Sequence, residues 1–214
     1  MRQTSITIDL AALSHNLQRV KDYAPTAKVL AMVKANAYGH GAVNSLPAVA
    51  QADALGVACL QEAIELQQAG WEKLMVVIEG AFSLAEWQYC TAHQIQCVVH
   101  HQRQLDWALQ QPAKTGATVW LKLNTGMNRL GFTSGEIREI AKQLTRSGYE
   151  IVLTTHFANA DVIDHPNNQQ QFELFDSTLQ MLRDQVSPTI KGSLCNSAGI
   201  VNWSDRHYDW VRPG

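Results

Sequence analysis

A lysine stands where an apolar run gives way to a loop that carries glycine. The stretch 29–41 reads VLAMVKANAYGHG, so that Lys34 directly follows five apolar residues. A primary amine at such a junction is partly desolvated, which favours the neutral form that attacks a carbonyl carbon. Tyr38 follows four residues on, and Gly39 and Gly41 let the backbone approach a ligand closely. A phenol beside bare amides suits a phosphate. A lone lysine in this position would by default end a strand and reach for water; its neighbours favour the chemical reading.

Four further segments carry groups of the same kind. LKLNTGMNRLGF (121–132) supplies Lys122 and Arg129, THFANAD supplies His156, LCNSAGI supplies Asn196, Ser197 and Gly199, and DWVRPG supplies Arg212 and Gly214. Taken singly, Arg129 reads as a surface arginine, and His156 as a hydrogen-bonded structural histidine. Ser197 has two readings: a helix cap, or part of an anion site built from a hydroxyl and free amides at a helix start.

The elements between these segments explain why they should meet. Short apolar runs at 29–33, 55–59, 74–78, 96–99, 118–123, 151–155, 191–195 and 208–211 read as strands, mostly apolar on both faces as buried parallel strands are. Within 118–123, Trp120 and Leu123 break any simple in-and-out alternation. Amphipathic stretches lie between. Leu10, Leu13, Leu17 and Val20 repeat behind a cap at Asp9; Ile137, Ile140, Ala141 and Leu144 follow a Thr133–Glu136 capping box; Phe172, Phe175, Leu179, Leu182 and Val186 form a third set. Gly70, Gly116 and Gly148 stand where helices end and strands begin. Eight strands alternating with helices predict an α/β fold, a (β/α)8 barrel over residues 1–214, with a doubly wound sheet as the alternative. Active sites of such barrels gather at the C-terminal ends of the strands, where each segment above falls. No helix is predicted after the eighth strand, which is therefore expected to be uncovered. Residues 5–8 alternate like a strand that precedes the first helix. Both features suggest a barrel truncated from a longer protein, with residues 1–8 belonging to a second domain.

Composition narrows the function classes. Seventeen basic residues face nineteen acidic ones, for a formal net charge of -2, without the basic footprint of a nucleic-acid binder. The longest apolar runs are far too short for a membrane span, and the N-terminus lacks the layout of a signal peptide. A cytoplasmic protein without membrane or nucleic-acid partners is the expectation. Cys59, Cys90, Cys97 and Cys195 are scattered without a C-x-x-C pair, which suggests buried free thiols and no metal site.

AMVKANAYGHG resembles the cofactor-attachment signature of bacterial alanine racemases, enzymes that use pyridoxal 5'-phosphate. The other four segments resemble further stretches of the same family, in family order, and the likeness runs from TIDLAALSHNL to the final glycine. It implies that Lys34 carries the cofactor and acts as a catalytic base, and that Tyr38, Ser197 and Gly214 serve the phosphate, with Asn196 beside them. It implies that Arg129 contacts the phenolic oxygen of the cofactor ring, and that His156 contacts Arg212. It also implies that Arg212 meets the pyridine nitrogen. An arginine cannot accept a proton there, which favours proton exchange at the α-carbon over transamination. Lys122 matches a lysine that is carbamylated in many members, and here the modified and unmodified readings stay open.

The implied reaction is interconversion of L- and D-alanine, for peptidoglycan or for catabolism, in a homodimer. The second catalytic acid, a tyrosine, comes from a β-rich second domain of the partner subunit, so these 214 residues alone are not expected to racemise. Two other readings remain. One is a single-barrel protein that serves pyridoxal-phosphate homeostasis. The other is a non-enzymatic barrel in which Lys34 and Arg212 are ordinary charges.

Overall fold

A computed structural model describes residues 5–111 and 113–214. The strands are β1 (Lys28–Met32), β2 (Ala54–Val57), β3 (Leu74–Val77), β4 (Gln96–Val99), β5 (Thr118–Lys122), β6 (Glu150–Thr154), β7 (Lys191–Ser193) and β8 (Trp210–Val211). The helices are α1 (Leu10–Tyr23), the short turns α2 (Lys34–Tyr38) and α3 (Ala42–Ser45), α4 (Leu60–Gln68), α5 (Leu84–Ala92), α6 (Gln102–Gln110), α7 (Ser134–Arg146), α8 (Pro166–Gln185) and α9 (Ser197–Asn202). All strand pairs are parallel, in the order β7-β6-β5-β4-β3-β2-β1-β8. The β8–β7 seam is closed by backbone bonds from Asp209 N to Gly192 O (3.1 Å) and from Arg212 N to Cys195 O (3.0 Å). This is the (β/α)8 barrel the sequence predicts, and not a doubly wound sheet.

Two apolar layers hold it together. Leu30, Ala54, Val76, Val98, Trp120, Val152 and Trp210 fill the lumen, where the Trp120 and Trp210 rings meet edge to face at 5.5 Å. A larger layer, including Val29, Leu55, Val77, Val99, Leu121 and Leu153, lies between strands and helices. The apparent irregularity of β5 is thereby resolved. Trp120 points into the lumen while Val119, Leu121 and Leu123 face the helices. The alternation is strict, and it was hidden because both faces are apolar.

The predicted caps form. Asp9 accepts from Ala12 N at 3.0 Å, and Thr133 and Glu136 make the full capping box of α7. Gly70, Gly116 and Gly148 all have positive φ, which only glycine adopts without strain. Cys90, Cys97 and Cys195 are buried free thiols and Cys59 is half-buried.

Two expectations need correction. Ser5–Ile8 form no strand; residues 1–4 lie outside the described residues. Strand β8 is not bare, since Trp210 and Val211 are both buried, Val211 fully and within the outer layer. What lies open is an apolar groove of about 570 Å³ beside it, lined by Leu13, Leu17, Val20, Val33, Val49 and Pro213. Among the described residues no helix is long and apolar enough to cross a membrane, and no cluster of side chains could hold a metal ion.

Candidate active site

The strand ends place their residues around one cavity of about 430 Å³, a size suited to a small-molecule ligand. Met32, Ile78 and Val98 form its floor above the lumen core. Its walls carry Lys34, Tyr38, Lys122, Arg129, His156, Asn196, Ser197, Arg212 and Gly214. Every side chain singled out in the sequence for its chemistry therefore lines the same space, as does Gly214, whereas Gly39, Gly41 and Gly199 lie outside the lining.

Lys34 follows β1 and is half-buried. The chain then turns in a way no composition rule announces. Ala35, Asn36, Ala37 and Tyr38 all have φ between 51° and 55°, a left-handed helical turn that ends at Gly39 with φ 90°. Each non-glycine residue so placed costs roughly 1–2 kcal/mol. The turn is held by Ala37 N to Val33 O (2.7 Å) and by Gly41 N to Asn36 O (3.0 Å). Ala42 N donates to Asn36 Oδ1 (2.8 Å), and Ala35 N donates to Glu62 Oε1 (2.7 Å). The reversal brings the Tyr38 ring beneath the amine, with Lys34 Nζ 5.8 Å from the ring centre, and leaves the phenol exposed beside Gly214.

Arg212, 7 % exposed, is the anchor of the opposite wall. Its guanidinium donates to the Ser193 hydroxyl, to Thr155 O, and to Leu194 O at 3.1 Å. These bonds tie the ends of β6, β7 and β8 together and use three of its five N–H groups. The His156 ring, which the family likeness implies as an Arg212 contact, is not among these partners. His156 instead lines the cavity, and its backbone carbonyl accepts from Gln171 Nε2. Burial, followed by Arg212, Lys122, Arg129 and Lys34, pushes the His156 imidazole down to about 3, so it is neutral at physiological pH.

Lys122 is 8 % exposed. Burial and the neighbouring Arg212, Arg129 and Lys34 pull its amine down to about 8, opposed by Glu79. Lys34, Lys122, Arg129 and Arg212 thus put four cations into one lining whose only carboxylate, among the described residues, is the exposed Asp161. Such a cluster is poorly compensated unless it receives an anion.

Arg129 is exposed on the loop after β5. Asn124 fixes this loop, its Oδ1 accepting from Gly126 N and Asn128 N, both at 3.1 Å. Gly131 is required at its base: a Cβ would come 2.8 Å from Asn124 N. Buried Gln171 on α8 pins the next loop to this one through Thr125 Oγ1 (2.8 Å) and His156 O (3.1 Å). At α9 the cap is Asn196, which accepts from Gly199 N at 3.0 Å. Asn196 thus takes the cap that the sequence offered to Ser197. The Ser197 hydroxyl faces Gly214 instead, accepting from Gly214 N at 3.0 Å and donating to Gly214 O at 2.9 Å. The bonds made by Glu62, Asn124 and Gln171 leave no mark in the sequence, since each acts on a backbone or loop whose position only the fold supplies.

The profile of "Alanine racemase, N-terminal domain" matches residues 8–214. The chain belongs to the alanine racemase family. It is 56% identical to the alanine racemase of Psychrobacter sp. (strain PRwf-1) over 218 residues, covering 100% of this chain and 58% of that protein. It is 39% identical to that of Legionella pneumophila (strain Lens), covering 59% of it. The alanine racemase structure from Acinetobacter baumannii superposes with a TM-score of 0.90 at 46% identity, over 100% of this chain and 59% of that one. The Bartonella henselae alanine racemase with covalently bound pyridoxal phosphate superposes with a TM-score of 0.84 at 28% identity, covering 97% of this chain and 60% of that one. The chain therefore spans about three-fifths of the length of these racemases and corresponds to their barrel.

One pH response of this barrel follows from His156. Its ordinary value of 6.5 falls to about 3 on folding, so between those limits the unfolded chain binds a proton that the folded chain does not. Stability is therefore fully present above pH 6.5 and declines as the pH falls, by at most ~1.4 kcal/mol per pH unit. Denaturant unfolding at pH 7 and pH 5 should show a loss of about 2 kcal/mol that His156→Asn removes. An equal loss in the variant would clear His156 of the effect.

Proposed function

We propose that this barrel holds pyridoxal 5'-phosphate on Lys34 and that the gene product, at its natural length, interconverts L- and D-alanine. The observation that carries the reading is the convergence of an amine, three further cations and the Ser197 hydroxyl beside Gly214 on a cavity with one exposed carboxylate. These residues fit an anionic aromatic aldehyde: positive charge compensates its phosphate and phenolate, and the apolar floor of Met32, Ile78 and Val98 accepts a ring. When bound, the cofactor would supply an aldehyde that joins a primary amine with loss of water, and an electron-withdrawing ring that acidifies the substrate α-carbon.

Each residue has a stated task on this reading. Ser197 Oγ, Gly214 N and the Tyr38 hydroxyl bind the phosphate, and Asn196 leaves Ser197 free by capping α9 in its place. Arg129 offers a charge to the phenolic oxygen. Arg212 holds a fixed cation at the ring nitrogen, with two N–H groups beyond those it uses inside the protein. Neutral His156 adds no charge to that side. Lys34 Nζ takes or returns the α-proton on one face only, and the opposite face falls to the tyrosine that the family likeness assigns to the second domain of the partner subunit. Lys122, with its amine near 8, is about a tenth neutral at pH 7, which suits carbamylation. The resulting anion would balance Arg129 and Arg212, and a carbamate carbon signal after labelling with carbon-13 bicarbonate is the check.

The family likeness supplies the homodimer, the second domain to which residues 1–8 would belong, the cytoplasmic setting and the supply of D-alanine as parts of the same proposal. The test compares this 214-residue chain with the natural gene product for alanine racemisation and for borohydride trapping of pyridoxal phosphate. The expected result is trapping on Lys34, with turnover in the gene product and little in the 214-residue chain. Trapping on another residue would overturn the assignment. A gene product that traps the cofactor but never racemises an amino acid would favour the homeostasis reading.

A further inference from the structure

We infer that Glu62 is a positioning residue for Lys34, holding the left-handed turn that aims its amine into the cavity. The inference rests on the reading of Lys34 given above.

Glu62 is the third residue of α4, where a carboxylate reaching back to its own helix start is ordinary. One oxygen does this: Oε2 accepts from Ala58 N at 2.7 Å, in the loop after β2. The other does something a cap does not require. Oε1 accepts from Ala35 N at 2.7 Å, across 27 residues of sequence. One carboxylate therefore joins the C-terminal ends of β1 and β2, which already run in register with Met32 opposite Gly56.

The bonded amide is decisive by its position. Ala35 N belongs to the peptide plane shared with Lys34, so the bond fixes the orientation of that plane and with it the departure of the Lys34 side chain. Ala35 is also the first residue with positive φ. The remaining bonds of the turn, from Ala37, Gly39, His40, Gly41 and Ala42, stay within residues 33–42. Among the described residues, Glu62 supplies the one side-chain hydrogen bond that reaches residues 34–41 from outside residues 33–45; the Ser45 hydroxyl, which donates to Gly41 O, belongs to the adjoining turn. The internal bonds can define the shape of the turn, but they cannot hold it at a set angle to the barrel. A charge-assisted bond to a rigid helix can.

The experiment compares the unaltered gene product with Glu62→Ala, Glu62→Gln and Leu66→Ala. Leu66 is a buried core residue of the same helix without a bond to the turn, so it controls for general loosening. Two quantities are read on cofactor-free protein: the rate at which added pyridoxal phosphate becomes trapped on Lys34, and hydrogen exchange at the Ala35 amide. Glu62→Ala is expected to slow trapping about tenfold or more and to speed exchange by a similar factor, since misaimed reacting groups lose rate steeply. Glu62→Gln keeps one acceptor oxygen and should fall between, which also carries the test should the alanine variant fail to fold. Leu66→Ala should stay within about twofold of the unaltered rate by the same reasoning. An unchanged trapping rate in Glu62→Ala, or an equal slowing in Leu66→Ala, overturns the inference. Absence of trapping in the unaltered protein would instead overturn the assignment of Lys34 itself.

Discussion

Lys34→Ala is expected to abolish covalent capture of pyridoxal phosphate and to lower racemisation by the gene product by about 10³-fold or more, the scale set by losing a positioned acid–base group. The fold should hardly notice. Lys34 is half-buried, and its recorded contact is a cation–π approach to Tyr38 at 5.8 Å, worth about 1 kcal/mol at most at such a site. Absorbance after cofactor addition and a thermal melt are sufficient to decide. A visible band persisting in the variant would remove Lys34 from its role. A collapsed melt would recast it as structural.

Arg212→Met is expected to behave in the opposite way, damaging both fold and function. The guanidinium is buried, and removing it leaves Ser193 Oγ, Thr155 O and Leu194 O without their donor at the seam of three strands. Each abandoned acceptor costs roughly 1–3 kcal/mol. Some of that is offset, because the charge is itself uncomfortable there: burial pulls it down to about 10. The acceptors outnumber the relief, so a net loss of about 3 kcal/mol should remain, or a fall of about 6–12 °C in Tm for a domain of this size. A fall under about 2 °C would mean that the seam closes without the fork.

The contrast shows what could be seen in the residues alone. Strand positions came through because apolar runs between glycines are a strong signal, and boundaries moved only by a residue or two, as at β1 and β6. The convergence of the candidate residues on one cavity came through because each strand end carried a group with its own chemistry. The handedness of the turn after Lys34 did not. Ala35, Ala37 and Tyr38 are residues that ordinarily avoid positive φ, so only the surrounding bonds reveal that they adopt it. The cap of α9 was equally hidden: the sequence offers Ser197, the structure uses Asn196, and both residue types cap helices well. The links made by Glu62 and Gln171 span 27 and 46 residues, a range over which side-chain partners leave no periodic trace. For β8, the absence of a following helical pattern suggested exposure, but burial of Val211 depends on neighbours distant in sequence.

The register of the ring seam sets an order of assembly. Lys28 lies opposite Trp210 and Val29 opposite Val211, so a ribosome delivers the first half of this junction some 180 residues ahead of the second. At about 5–20 residues per second, nascent β1 waits roughly ten seconds or longer with one edge unpaired. During that interval Lys34 exists without Arg212 or Gly214 across from it. On the proposed reading of Lys34, capture of the aldehyde by this amine would be a late event in the life of the polypeptide, coming after β8 has been threaded into place.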